Sequence, residues 1–244
     1  MSKRLRFFLW HISISFALAV LSVIWVFNVW YPTSLASAVG VTSLFFMLIA
    51  IDIILGPLLG WIVYKENKKS LKFDLVVVFL IQFGALVYGI YSIAEGRPIW
   101  LAYNVDRFEV VRANELILDK MDQVQPQYQQ VSLWKPQFVG VQFSNNIEQK
   151  NQDMFEEVLA GISIAQRPER YVPLEKVKTQ IQQRSQSLAQ LNNFNNQVDV
   201  NKILKKYPEA NAWVPLQANH QDMVVLLHKE TANIIKIVDL RPWS

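Results

Sequence analysis

The chain contains no cysteine. No disulfide can staple any part of it, so a domain exposed to an oxidising compartment would have to hold by packing alone. Its histidines are His11, His220 and His228, and no cysteine joins them. His11 lies in an apolar stretch remote from the other two, so no metal-ligand cluster has workable spacing. There is no glycine-rich phosphate loop. Gly161-Ile162-Ser163-Ile164-Ala165 superficially matches a nucleophile elbow, but that motif needs a strand before the serine and a helix after it. Here the glycine follows a predicted helix and is read as its end. The acidic pairs Glu156-Glu157 and Asp119/Asp122 read as solvated helical faces. Nothing in this set demands an enzyme, and no cofactor is expected.

Three long apolar stretches are present instead, at about residues 7–30, 39–64 and 75–93. Each is near the ~20 residues a helix needs to cross a ~30 Å hydrocarbon core. Residues 1–96 therefore read as a three-helix transmembrane region, and 97–244 as a separate extracytoplasmic α+β domain. The basic start followed by an apolar run, with Ala36-Ser37-Ala38 beyond it, is also the pattern of a cleaved signal. The run exceeds the ~7–15 residues of a signal h-region, and it is read as a span.

Orientation follows from the basic residues. Lys3, Arg4 and Arg6 precede the first stretch, and Lys65, Lys68, Lys69 and Lys72 lie between the second and third. The connector at 31–38 carries no charge. Lysine and arginine near span ends stay cytoplasmic, so the N-terminus is expected inside and everything beyond about Gly96 outside. Trp25, Trp30, Tyr31 and Tyr64 fall near the expected span ends, as an interfacial aromatic belt would. Residues 97–244 hold 17 Lys/Arg and 16 Asp/Glu, nearly balanced. The sequence pI of about 9.2 thus reports membrane anchors rather than a nucleic-acid surface.

Periodicity places the elements of the outer domain. A strand or hairpin is predicted over 99–111, turning near Asn104–Arg107, and another strand over 138–143. Helices are predicted over 113–124, 149–160, 172–194 and 199–206, the last capped by Asp199. A terminal hairpin pairs 222–228 with 233–240.

The membrane motifs are more specific. Asp52 is an acid in the middle of an apolar stretch, where a carboxylate costs ~2.5–3.5 kcal/mol on insertion scales. Pro57 removes a helical hydrogen bond and predicts a kink. Gly56 permits close approach of another helix. Folding about residues 68–69 brings Asp52 within a helical turn of the depth of Gln82. Three roles stay open for Asp52: a hydrogen bond to Gln82 that locks the hairpin, a contact with a partner's transmembrane helix, or part of an ion or proton path. Asp74, at the start of the third stretch beside lysines, reads as structural. The aromatic end at Trp243 reads as an anchor of the domain core in preference to a contact residue.

The chain resembles the TfpX/TfpZ family of type IV pilin accessory proteins. The resemblance lies in Asp52-Ile-Ile-Leu-Gly-Pro-Leu-Leu, Lys69-Ser-Leu-Lys-Phe-Asp-Leu75, Tyr88-Gly-Ile-Tyr91 with Arg97-Pro98, Val105-Asp-Arg-Phe108 and Asp239-Leu-Arg-Pro-Trp243. The middle, about 123–219, matches only by layout. The resemblance implies a multi-pass inner-membrane protein that helps a cognate pilin reach the surface, without enzyme activity. Its motif positions supply candidate partner-binding residues: Asp52, Gly56, Pro57, Gln82, Asp106, Arg107, Arg241 and Trp243. The expected partners are a type IV pilin and membrane lipid, with no nucleic acid. A membrane-anchored sensor is the alternative, and the short cytoplasmic segments disfavour it.

Overall fold

The structure, a computed structural model, describes residues 1–32 and 34–243. The chain divides into two compact units, Met1–Val29 with Val41–Glu95, and Trp30–Gly40 with Gly96–Ser244.

The first unit is helical. α1 runs Lys3–Trp25 and continues as a wider turn, Val26–Trp30. After the short α2, Leu35–Ala38, which belongs to the second unit, come α3, Val41–Val63, and α4, Leu71–Glu95. The three long helices are apolar and long enough to cross a membrane. The protein is a membrane protein with a folded domain attached. α3 packs against both α1 and α4. Its buried residues, Phe45, Ile49, Asp52, Gly56 and Gly60, recur at steps of three and four and form one stripe. α3 continues through Pro57. At its end Arg4 donates to the Trp61 carbonyl (2.8 Å) and lies over the Trp61 ring. A cation there satisfies an orphan carbonyl and opposes the negative end of the helix.

The second unit is built on one mixed sheet of eight strands. β1 (Pro98–Asn104) and β2 (Arg107–Arg112) form the hairpin expected at Asn104–Arg107. β3 (Gln137–Val141) lies parallel to β1, and β4 (Tyr171–Val172) closes that edge. On the other side β6 (Ala212–Gln217) runs parallel to β2. The hairpin of β7 (Met223–His228) and β8 (Asn233–Val238) follows it. β5 (Gln186–Ser187) also pairs with β6.

Alternation along the strands buries both faces of this sheet. Leu101, Tyr103, Phe108, Val214, Leu216, Val225 and Leu227 share one core. Trp100, Ala102, Val111, Val139 and Tyr171 lie in a second, and Trp213, Val224 and Leu226 in a third. The uncharged connector enters the first core. Leu35 and Ala38 are fully buried in it, and the Ala38 carbonyl accepts from the N–H groups of both His220 and Gln221 (3.0 Å each). Gly40, at φ +75°, makes this possible, since a Cβ there would lie 2.9 Å from the His220 ring.

Several elements differ from the sequence expectation. Residues 113–124 form short 3₁₀ turns, Ala113–Glu115 and Met121–Gln123, and not an α-helix. Leu116, Met121 and Val124 still reach the second core from this irregular path. The helix expected over 172–194 is divided: α6 spans Lys178–Arg184 only, and the chain then becomes β5. Ser185 turns its hydroxyl onto the Gln182 carbonyl where the helix stops. α7, Gln197–Leu204, is capped by Asn196, which accepts from Val198 N–H, and not by Asp199. β6 was hidden by Pro215, because proline argues against a central strand. Its ladder with β2 is confined to Leu216 and Gln217.

Candidate functional site

Among the candidates in the apolar helices, Gln82 is the centre. Its amide N–H groups donate to Ser15 Oγ on α1 (2.9 Å) and to the Asp52 main-chain carbonyl on α3 (3.2 Å). Its Oε1 faces His11 Nε2 on α1 (2.8 Å). One side chain on α4 therefore ties all three helices together. Its room is made by Gly56, where a Cβ would lie 2.0 Å from Gln82 Oε1. Gly60, one turn on, takes His11 and Phe7. Asp52, Gly56 and Pro57 are buried within this bundle. Gln82 reaches Asp52 as the depth argument predicts, with the main-chain carbonyl of Asp52 accepting one of its N–H bonds. The close approach allowed by Gly56 is used by Gln82 of the same chain. Asp74 is held at the start of α4 by Lys68 (2.6 Å) and Ser70 (3.0 Å).

His11 and Ser15 complete this cluster, and sequence reasoning did not place them there. The signal was available. His11 lies a few residues into α1 from the same side as the turn at 64–70, which puts it near the depth of Gln82 and Gly60. Among the described residues no group of His, Asp and Glu has the arrangement to hold a metal ion.

The candidates of the globular domain, by contrast, come together on its surface. Arg107 forms a two-point pair with Asp106 (Nε to Oδ1, 2.8 Å) and lies over the Trp243 ring at 5.3 Å. Bonding to Asp106 raises the Arg107 pKa further, against the opposing effect of burial. Trp243 donates its ring N–H to Asp222 Oδ2 (2.8 Å). Arg241 bonds the Asp222 carbonyl and the Asp239 side chain, and its main-chain N–H donates to Asn195 Oδ1 (2.7 Å). Trp243 is half-buried, so the expected core anchor is instead a tail fastened at the surface. Asp222 is the hub, and nothing local in the sequence marks it. Val105, in the turn before Asp106, has φ +56°, a conformation costly for a β-branched residue, and Asp106 N–H closes a tight bond to the Asn104 carbonyl (2.7 Å).

A third feature is α5, Ile147–Ala160. It starts on Asn146, whose side chain accepts from Glu148 N–H (2.8 Å), and ends at Gly161 in the left-handed conformation. Its charged side faces the domain. Asp153 is 2% exposed and accepts from Arg170 Nε (2.8 Å), while Glu156 pairs with Arg167. Its apolar side faces outward: Ile147, Met154, Phe155, Val158 and Leu159 are all exposed, Val158 by 82%. The sequence showed the apolar stripe but not its direction. Ser163, just beyond, caps the turn Ile164–Gln166 by accepting from Ala165 N–H (3.1 Å) and is no nucleophile elbow.

A family model described as fimbrial assembly protein FimB matches residues 1–40, the first apolar helix and the connector. The curated "Fimbrial assembly protein, serogroups C1 and C2" of Dichelobacter nodosus is 31% identical over 115 residues, which cover 46% of this chain and 88% of that protein. The chain belongs to this family of fimbrial assembly proteins. The serogroup I and serogroup E1 proteins of the same organism are 29% and 28% identical over 239 residues, 94% of this chain and 92% of each of theirs. No solved structure matches. Fimbrial assembly proteins of this kind are type IV pilin accessory factors, as the sequence motifs imply, and the chain has a role in pilus assembly.

Proposed function

We propose that this fimbrial assembly protein is a non-enzymatic chaperone of the bacterial inner membrane that binds a cognate type IV pilin and promotes its assembly. The basic flanks put the N-terminus in the cytoplasm and the globular domain in the periplasm. A pilin waits in the same membrane with an apolar helix and a head outside it, so a helper with membrane helices and an outer domain can meet both parts. The observation that carries the reading is the outward apolar side of α5. A soluble face of this kind, rimmed by polar residues, marks a protein contact. The Asp52–Gln82 cluster serves this role indirectly, by holding the bundle that carries the domain.

Photo-crosslinking tests the reading. A crosslinking residue in place of Phe155 or Val158, in cells making the pilin, is expected to capture the pilin head. If Phe155 is an anchor worth about 2 kcal/mol, Phe155→Ala weakens capture by roughly thirtyfold. Phe155 is 65% exposed, so the level of the protein stays normal. No pilin adduct, with full pilus display by Phe155→Ala and Val158→Glu, would refute the proposal.

A further inference from the structure

Lys3, Arg4 and Arg6 open α1, and the structure separates their roles. Arg4 is taken, donating to the Trp61 carbonyl and lying over the Trp61 ring. Lys3 and Arg6 are exposed, and among the described residues no carboxylate pairs with either. Both line an open groove of about 530 Å³, together with Phe7, Trp10 and Tyr64. Tyr64 is the first residue after α3, and it stacks on Phe7 at 5.2 Å between ring centroids. One wall of the groove thus joins the start of α1 to the end of α3. Among the described residues none that lines it is acidic. An apolar track continues from it along α1. Arg6, Trp10, Ile14 and Leu18 recur every four residues and Leu21 follows, so they share one side of the helix. Trp10 is 63% exposed, Ile14 53% and Leu21 63%. Ser15 and Ala19, the buried residues of α1, lie on another side.

We propose that this groove binds an anionic phospholipid, with the phosphodiester between Lys3 and Arg6, the glycerol region at Trp10 and an acyl chain along Ile14 and Leu21. The residue types follow the layers of such a molecule. Arginine offers a planar fork to two phosphate oxygens, and lysine adds a mobile point charge. Tryptophan suits the glycerol layer because its ring is apolar and its N–H is polar. The aliphatic residues beyond it match the chain. The occupant is a lipid and not a free anion, because the two cations stand at the start of a helix apolar and long enough to cross a membrane. An anion held there carries its acyl chains into the layer where the track lies. The head carries net negative charge, because a zwitterionic head brings its own ammonium to a groove that already holds two cations. This inference is independent of the proposed pilin contact.

Native mass spectrometry of the full-length chain in a neutral detergent, with no pilin present, tests the site. Phosphatidylglycerol and phosphatidylethanolamine with identical acyl chains are titrated, and the first is expected to bind several-fold more tightly. Lys3→Gln and Arg6→Gln should each weaken phosphatidylglycerol binding by roughly fivefold, the worth of one cation at a lipid surface. Lys3→Arg should retain it. Both side chains are exposed, so the helical content of each variant should equal that of the parent. The combined Lys69→Gln and Lys72→Gln variant removes two exposed cations from the turn into α4 and controls for net charge. It should leave the lipid preference unchanged. Equal binding of the two lipids would overturn the proposal, and so would the same loss in the Lys69/Lys72 variant, which would mean a general charge effect. A large molar excess of inorganic phosphate should not displace the lipid. Displacement would assign the groove to a free anion and overturn the proposal as well.

Discussion

At the scale of the residue, Gln82 shows how a membrane bundle is specified without a hydrophobic drive between its helices. Lipid is as apolar as leucine, so close packing and hydrogen bonds must do the joining. Gln82 supplies three contacts, and Gly56 supplies the room. The two residues are predicted to be coupled. Gly56→Ala places a methyl where the amide sits and should destabilise the bundle. In a Gln82→Ala background the same change should be nearly neutral. Gln82→Leu, which forfeits interhelical bonds worth ~0.6–2 kcal/mol each, should cost roughly 2–4 kcal/mol. Thermal unfolding in nanodiscs measures the cycle, and additive effects of the two substitutions would show that Gly56 acts elsewhere. Asp52 was legible as an anomaly, because an acid in an apolar run has few reasons to be there. That its backbone carbonyl also takes a Gln82 N–H was not legible, since depth counting locates residues and not their atoms.

At the scale of the element, α5 is instructive because its period was readable and its orientation was not. Phe155, Val158 and Leu159 share a helical stripe in any sequence reading, and a stripe is ordinarily turned inward. Here Arg167 and Arg170 are buried at 7% and 8% exposure and hold Asp153 and Glu156, so the charged side is captured first. Those partners are distant in sequence, and no local pattern announces them. The expected 172–194 helix failed for a related reason, since Gln186 and Ser187 are claimed by Trp213 and Ala212 of β6. The buried pair makes a prediction about α5. Arg170→Met leaves buried Asp153 with only the longer pair to Arg167 at 4.0 Å and should cost up to ~3–5 kcal/mol. Asp153→Leu together with Arg170→Met should recover most of that loss. Chemical denaturation of the full chain measures both, and an unrecovered double variant would mean that the ion pair itself, and not the removal of a lone charge, holds the helix.

At the scale of the whole molecule, the globular unit is assembled from two stretches of chain separated by two membrane helices. Two crossings return a chain to the side it left, so the shared core of Leu35 and Ala38 with the sheet is consistent with α3 and α4 both spanning. The hydropathy pattern alone made the spans legible, and the uncharged connector read as a mere link, because nothing local says that a short Leu-Ala-Ser-Ala segment is a core element. Folding of the domain is therefore predicted to depend on insertion of the hairpin, since Leu35 is part of the core of its sheet. Leu35 is 1% exposed. Leu35→Ala should therefore destabilise the globular unit by ~2–5 kcal/mol, although it is more than sixty residues away from β1 in sequence. Limited proteolysis in nanodiscs is the measurement: cleavage within 97–243 should rise while the three membrane helices stay protected. Unchanged protection of the domain would mean that its sheet folds without the connector, and that insertion and domain folding are independent events.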